Sequence, residues 1–208
     1  MLHIEAVEIT TFNLLEELLK IKELSDFNLA GGTALSLKLG HRTSEDLDIF
    51  KTSDFDKLKV INALKKKYKN RVEFKSSPNN KLGVFCFIDE IKIDICKHPY
   101  ALLHPPMHEG VLRMWSLPDI AAAKVYAISN RATKKDFWDI DELLDIYSID
   151  EIAEFYRKKY MPMLAIGVAQ MLLYFDEAED TKEPYSFKKI TWSQVKKNIA
   201  KKINQQLK

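Results

Sequence analysis

Two short stretches, Gly31-Gly32-Thr33 and Asp46-Leu47-Asp48-Ile49-Phe50, constrain this chain more than any other part of it. The apolar run at residues 27–30 suits a short buried strand, and the paired glycines break it. From Thr33 onward Ala34, Leu35 and Leu39 recur at helical spacing, whereas residues 46–50 alternate polar and apolar as a half-buried strand does. The spacing predicts strand, glycine turn, short helix, polar loop and strand, in that order.

The chemistry of the stretch is as specific as its shape. Side chains two apart on a strand point to one face, so Asp46 and Asp48 lie about 6.5–7 Å apart along the chain. They repel by about 2 kcal/mol at an effective dielectric near 20. A divalent cation reverses that penalty, and hard oxygen ligands suit Mg²⁺. The glycine turn opens a helix, where unpaired N–H groups and the positive dipole end attract phosphate and the missing side chains let it approach. Taken singly, Gly-Gly-Thr is an ordinary turn and Asp-x-Asp an exposed strand face. Together, with Arg42 and Ser44 leading into the acidic strand, they read as a phosphate cradle beside a metal-ligand pair.

This stretch resembles the nucleotidyltransferase superfamily to which DNA polymerase β belongs, and within it most resembles the AbiEii/AbiGii toxin group of bacterial abortive-infection and toxin–antitoxin systems. The resemblance covers residues 25–145. It implies an α/β (α+β) fold: a mixed sheet of nucleotidyltransferase topology flanked by helices, followed by a C-terminal helical bundle. It also implies an enzyme that moves a nucleoside monophosphate from an NTP to a hydroxyl of tRNA, other RNA or protein, using one or two Mg²⁺ (or Mn²⁺) ions. Gly31, Gly32 and Thr33 would cradle the β- and γ-phosphates, with Arg42 and Ser44 beside them. Asp46 and Asp48 would hold metal, joined by a third carboxylate from a later strand. Asp94, in Ile93-Asp94-Ile95, fits that slot, as metal ligand and as candidate base. Read from the residues alone, Asp94 is a solvent-facing strand aspartate.

A second run, from Lys124 to Asp139, carries charge at helical spacing. Lys124 and Arg131 share one helix face, and Asp136 and Asp139 share a face of the next helix. By itself the run reads as surface ion pairing and capping. The resemblance assigns it to the site: Lys124 to the triphosphate, Arg131 and Lys135 either to phosphate or to locking Asp136.

The rest of the chain is organised around these stretches. Helices are expected at residues 11–21, 55–68, 117–128, 134–147, 149–160, 162–175 and 193–207; strands at 71–75, 82–88, 91–95 and 111–115; and a turn at 76–80. The helix before Tyr68 has a basic outer face running from Lys57 to Arg71, either a solvated helix face or a footprint for nucleic acid. Residues 97–110 read as a loop, structural or substrate-facing; Pro105 and Pro106 oppose a helix that would bring His104 and His108 together on zinc. The change to an all-helical pattern places a boundary at 115/116, with a catalytic core over 1–115 and a helical region over 116–208.

Global charge decides little, because the net is only +2. No run approaches 18 apolar residues and no secretory segment opens the chain, so a cytoplasmic protein is expected, with Cys86 and Cys96 reduced. Two other classes compete with the enzyme: a nucleotide-binding regulator that does no transfer, and a protein-interaction module bound to a cognate antitoxin. Three carboxylates facing one cleft favour the enzyme, and the geometry of Asp94 relative to Asp46 and Asp48 discriminates.

Overall fold

The computed structural model describes residues 2–75, 82–160 and 165–206. The turn expected at 76–80, the start of the helix expected at 162–175 and the last residue of the helix expected at 193–207 lie outside the described residues.

The described residues form a mixed sheet of seven strands: β1 (Asn28–Leu29), β2 (Leu47–Lys51), β3 (Val72–Phe74), β4 (Gly83–Ile88), β5 (Ile91–Lys97), β6 (Met107–Glu109) and β7 (Leu112–Met114). Their order across the sheet is β3-β4-β5-β2-β1-β7-β6. β2 runs parallel to β5 and β1 parallel to β7, and the remaining neighbours are antiparallel. Among the described residues eight α-helices accompany it: α1 (Ile9–Leu19), α2 (Gly31–Leu39), α3 (Lys57–Tyr68), α4 (Leu117–Asn130), α5 (Lys134–Leu143), α6 (Ile149–Lys159), α7 (Ala165–Leu172) and α8 (Trp192–Gln206).

Alternation in the central strands separates two chemistries. Leu47, Ile49, Val84, Cys86, Ile93 and Ile95 are buried, and α3 supplies Val60, Ile61 and Leu64 to the same core. The intervening residues, Asp48 of β2 and Lys92 and Asp94 of β5, point to the other sheet face. The helices start where their sequences provide caps. Ser116 Oγ accepts from the Asp119 amide with Pro118 in the first turn of α4, and Ser148 and Glu151 form a reciprocal capping box on α6. α2 ends on Gly40 at φ +63°, a left-handed cap that glycine adopts without a Cβ clash. α4 and α5 pack against α2, and one buried apolar cluster runs from Val7 in the N-terminal segment to Ile203 in α8. No helix among the described residues is long and apolar enough to cross a membrane.

Several elements differ from the sequence expectation: α1 is shifted to Ile9–Leu19, β5 runs on to Lys97 and α7 ends at Leu172 rather than residue 175. α2 begins at Gly31, so the glycines are its first turn rather than a separate break. Residues 97–110 contain a strand, β6, which pairs with β7 around Gly110; Met107, His108 and Glu109 are all exposed and leave no alternation to read. α5 stops at Leu143, short of residue 147.

Candidate active site

The parallel register of β2 and β5 sets Asp48 directly beside Asp94. Asp46 stands at the entrance to β2, on the same side of the chain as Asp48. The first turn of α2 closes over this pair. Gly31 has φ +66°, and a Cβ there would sit 2.0 Å from Asp48 Oδ2, so only glycine lets the helix start approach the carboxylate. A Cβ at Gly32 would meet Arg42 Nη2 at 2.4 Å. Thr33 turns inward instead: its Oγ1 lies 2.8 Å from Ser44 Oγ and donates to the Asp46 carbonyl, tying α2 to the loop that carries Arg42 and Ser44.

Beneath this face lies a second set of charges, held by α4 and α5. Asp139 is fully buried. Arg42 grips it through Nε (2.7 Å) and Nη2 (2.8 Å), His41 Nε2 lies at 2.7 Å and Lys124 Nζ at 2.6 Å. Lys124 also donates to Asp136 Oδ1 at 2.9 Å, and Thr133 Oγ1 caps the other Asp136 oxygen at 2.6 Å. Burial opposes the charge on Asp139, yet Arg42 and Lys124, helped by His41, hold its carboxyl well below the usual range. Burial likewise acts against Lys124, but Asp136 and Asp139 outweigh it and raise its pKa.

The sheet carboxylates are treated differently. Burial, and after it the Asp94 charge, push the Asp48 carboxyl up. Asp94 Oδ2 accepts from Lys92 Nζ at 2.7 Å, but its Oδ1 is buried without a hydrogen-bond partner. Asp46 Oδ2 accepts from Lys135 Nζ at 3.2 Å in a half-exposed pair. These groups, with Gly32, Arg42, Ser44, Lys124, Arg131 and Asp136, line a polar cavity of about 240 Å³.

The structure therefore gathers every residue that the sequence analysis assigned to the nucleotide and metal site into one region. Lys124, Asp136 and Asp139 form its floor by binding one another, while Lys135 reaches up to Asp46 and Arg131 stands exposed at the rim. Two neighbours went unread. Lys92 shares the face of Asp94 by the same two-residue spacing that paired Asp46 with Asp48, so the signal was there. Nothing in the sequence marked His41.

Among the described residues no three His, Cys, Asp or Glu side chains stand arranged to hold a metal ion as they lie. The donor set nevertheless suits one: two adjacent carboxylates, one of them destabilised by its neighbour's charge, and a buried carboxylate oxygen without a partner. α3 buries Val60, Ile61 and Leu64 against the apolar side of the sheet, away from Asp48 and Asp94, and of the basic surface from Lys57 to Arg71, Arg71 lines a hollow that reaches Asp46. Within that surface Lys67 lies 3.7 Å from Glu17, and Arg71 is bonded to Asp89.

A mixed sheet carrying Gly-Gly-Thr above an Asp-x-Asp strand, with a third aspartate on the parallel neighbour, defines a nucleotidyltransferase fold. Residues 13–165 match the family described as nucleotidyl transferase AbiEii toxin, type IV toxin–antitoxin system, and the chain belongs to that family of nucleotidyltransferases. Uncharacterized protein aq_aa25 of Aquifex aeolicus (strain VF5) is 30% identical over 199 residues, which is 93% of this chain and 94% of that one. The fold is shared with JHP933 from Helicobacter pylori (TM-score 0.59, 16% identity, 96% of this chain and 92% of that one). It is shared also with MenT4, a nucleotidyltransferase toxin of Mycobacterium tuberculosis H37Rv (TM-score 0.56, 12% identity, 91% and 82%).

Proposed function

We propose that this chain is the toxin component of a toxin–antitoxin pair, acting in the cytoplasm. It would move a nucleoside monophosphate from an NTP to a hydroxyl of RNA or protein in a Mg²⁺- (or Mn²⁺-) dependent reaction. The observation that carries this reading is the register pair Asp48–Asp94 facing the open turn at Gly31.

Asp46, Asp48 and Asp94 are the residues that would hold the metal. Bound there, Mg²⁺ would offset the carboxylate charge and stabilise the transition state and the leaving pyrophosphate. The amides of Gly31, Gly32 and Thr33, at the positive end of α2, face the β- and γ-phosphates. Arg42 and Ser44 border that cradle from the loop side, and Lys135 and Arg131 supply cations at its mouth. Asp94 takes the proton from the acceptor hydroxyl. The new oxygen–phosphorus bond forms at the α-phosphate as the bond to pyrophosphate breaks. Lys124 acts from below: held by Asp136 and Asp139, it keeps a fixed positive charge under the cavity. The helical half, with α4 and α5 over the sheet, makes the second wall of the cleft. The cognate antitoxin is a separate protein that restrains this activity.

The test incubates purified protein with Mg²⁺, each α-labelled NTP and either total cellular RNA or total cellular protein. Label is expected on one acceptor pool with a preferred NTP, and none with Asp46→Ala or Asp48→Ala. Transfer that survives both substitutions would reject the site assignment.

A further inference from the structure

The polar cavity does not end at Asp48. Beyond it lies a recess of about 300 Å³ that shares Asp48, Lys124, Arg131 and Asp136 with the cavity and has Gly31 as its lip. Its other walls are five rings, Phe50, His98, Trp115, Tyr126 and Tyr160, with Ile120, Ala123, Ala127 and Asn130 of α4 between them. We propose that this aromatic recess takes the nucleobase of the NTP whose triphosphate lies in the polar cavity, leaving the acceptor to enter from the Asp46 side. The proposal rests on the reading of the polar cavity given above.

Position is the first support. Phe50 follows Asp48 by two residues on β2, so it continues the same face about 6.5–7 Å further on. A nucleotide with its α-phosphate at Asp48 has its base one ribose away, over Phe50. Gly32 lines the polar cavity and Gly31 the recess, so one helix start serves both ends of the ligand.

The second support is that the wall is prebuilt. Tyr126 and Tyr160 stack at 4.4 Å and 11°, and His98 meets Trp115 edge-on at 4.7 Å. Phe50, His98, Tyr126 and Tyr160 remain only half-buried. Behind them Lys159 is fully buried, 2.7 Å from Asp119 and 2.9 Å from the Ala101 carbonyl, with its ammonium 4.7 Å from the Trp115 ring centre. That arrangement fixes Trp115 and the chain leading from His98, which is more order than a surface cluster of rings requires. Burial, and then the Lys159 charge, lower the His98 pKa to about 4, so at neutral pH the imidazole is uncharged; its Nε2 lies 3.2 Å from Tyr160 Oη, which leaves Nδ1 for a ligand. Flat apolar walls with a few polar groups are what a small planar ligand needs, and every base has a π-face to stack.

The third support is contrast. Two other hollows that reach Asp46 are larger, about 540 and 800 Å³, and their linings are largely charged and hydroxylic. They suit an acceptor that continues out of the cleft. The recess suits a single ring system.

The experiment measures binding of ATP, GTP, CTP, UTP and inorganic tripolyphosphate by calorimetry in Mg²⁺, to wild type, Tyr126→Ala and Ala127→Phe. The first substitution removes a stacking face and the second fills the recess from α4. Both variants are expected to bind the preferred NTP about 10- to 100-fold more weakly, with tripolyphosphate binding unchanged. That unchanged binding also shows that the variants are folded. Equal loss for NTP and tripolyphosphate, or no loss in either variant, would overturn the recess as the base site. If wild type binds no NTP at all, the functional reading fails, and this proposal with it.

Discussion

The carboxylates on the sheet and those on α5 are the same chemical group, and the fold treats them in opposite ways. Asp139 accepts from Arg42, His41 and Lys124 at once, and Asp136 from Lys124 and Thr133. Asp48 sits against Asp94, Asp94 keeps one buried oxygen without a partner, and Asp46 has a single half-exposed lysine. Charges that are fully paired hold a structure together; charges left short of partners are poised for a ligand that brings its own. On the proposed reading the sheet layer is the site and the α5 layer is the scaffold beneath it. That reading gives both halves a part: the α5 layer would supply the fixed field over which the sheet layer can remain unsatisfied.

The comparison can be broken most directly by exchanging charge for shape. Asp48→Asn is expected to cut transfer by about 10³-fold or more, about 4 kcal/mol of transition-state stabilisation. The same substitution is expected to leave the melting temperature unchanged or raise it. The folded-state pKa of Asp48 is raised, so its ionised form is disfavoured in the native state above the unfolded carboxylate pKa, and an uncharged isostere removes that penalty. A fall in both activity and stability would place Asp48 in the scaffold.

Asp139→Ala should do the reverse, costing about 3–5 kcal/mol of folding stability in denaturant melts, because it leaves Arg42 and Lys124 buried without their counter-charge. A cost below about 1 kcal/mol would mean that the layer is not structural. Acid should reproduce part of this loss. Asp139 has its folded pKa depressed, so its contribution is fully present above the unfolded value of about 3.9 and disappears as pH falls through the folded value. The acid limb of the stability curve is expected to flatten in Asp139→Asn. Smallest of all, Lys135→Ala removes a pair that is about two-fifths exposed on both sides and should change stability by less than about 1 kcal/mol. It should nevertheless raise the KM for NTP several-fold, since Lys135 stands at the cavity mouth.

Much of the sheet layer was legible in the sequence because its signals are local. Two-residue alternation put Asp46 and Asp48 on one face, and Gly31-Gly32 marked a close approach of the backbone, which the fold makes to the side chains of Asp48 and Arg42. Asp94 needed the resemblance: alternation gave it a face, but only strand order gave it Asp48 as a neighbour. Lys92 was recoverable by the same alternation. The scaffold layer was legible as residues and not as roles. Lys124 and Asp136 read equally as surface pairs, because nothing local reveals that α4 and α5 fold down onto α2 and desolvate them. His41 carried no pattern at all. β6 was missed because an exposed edge strand has no apolar face to alternate. The basic stripe of α3 was visible, but its place relative to the carboxylates depends on which face Val60 and Leu64 bury.

The most direct test of the division between site and scaffold is a calorimetric titration of Mn²⁺ into wild type, Asp48→Asn and Asp94→Asn at neutral pH. The account predicts binding to wild type that weakens by at least tenfold in each variant while both remain folded. Mn²⁺ binding of equal strength in all three proteins would contradict it.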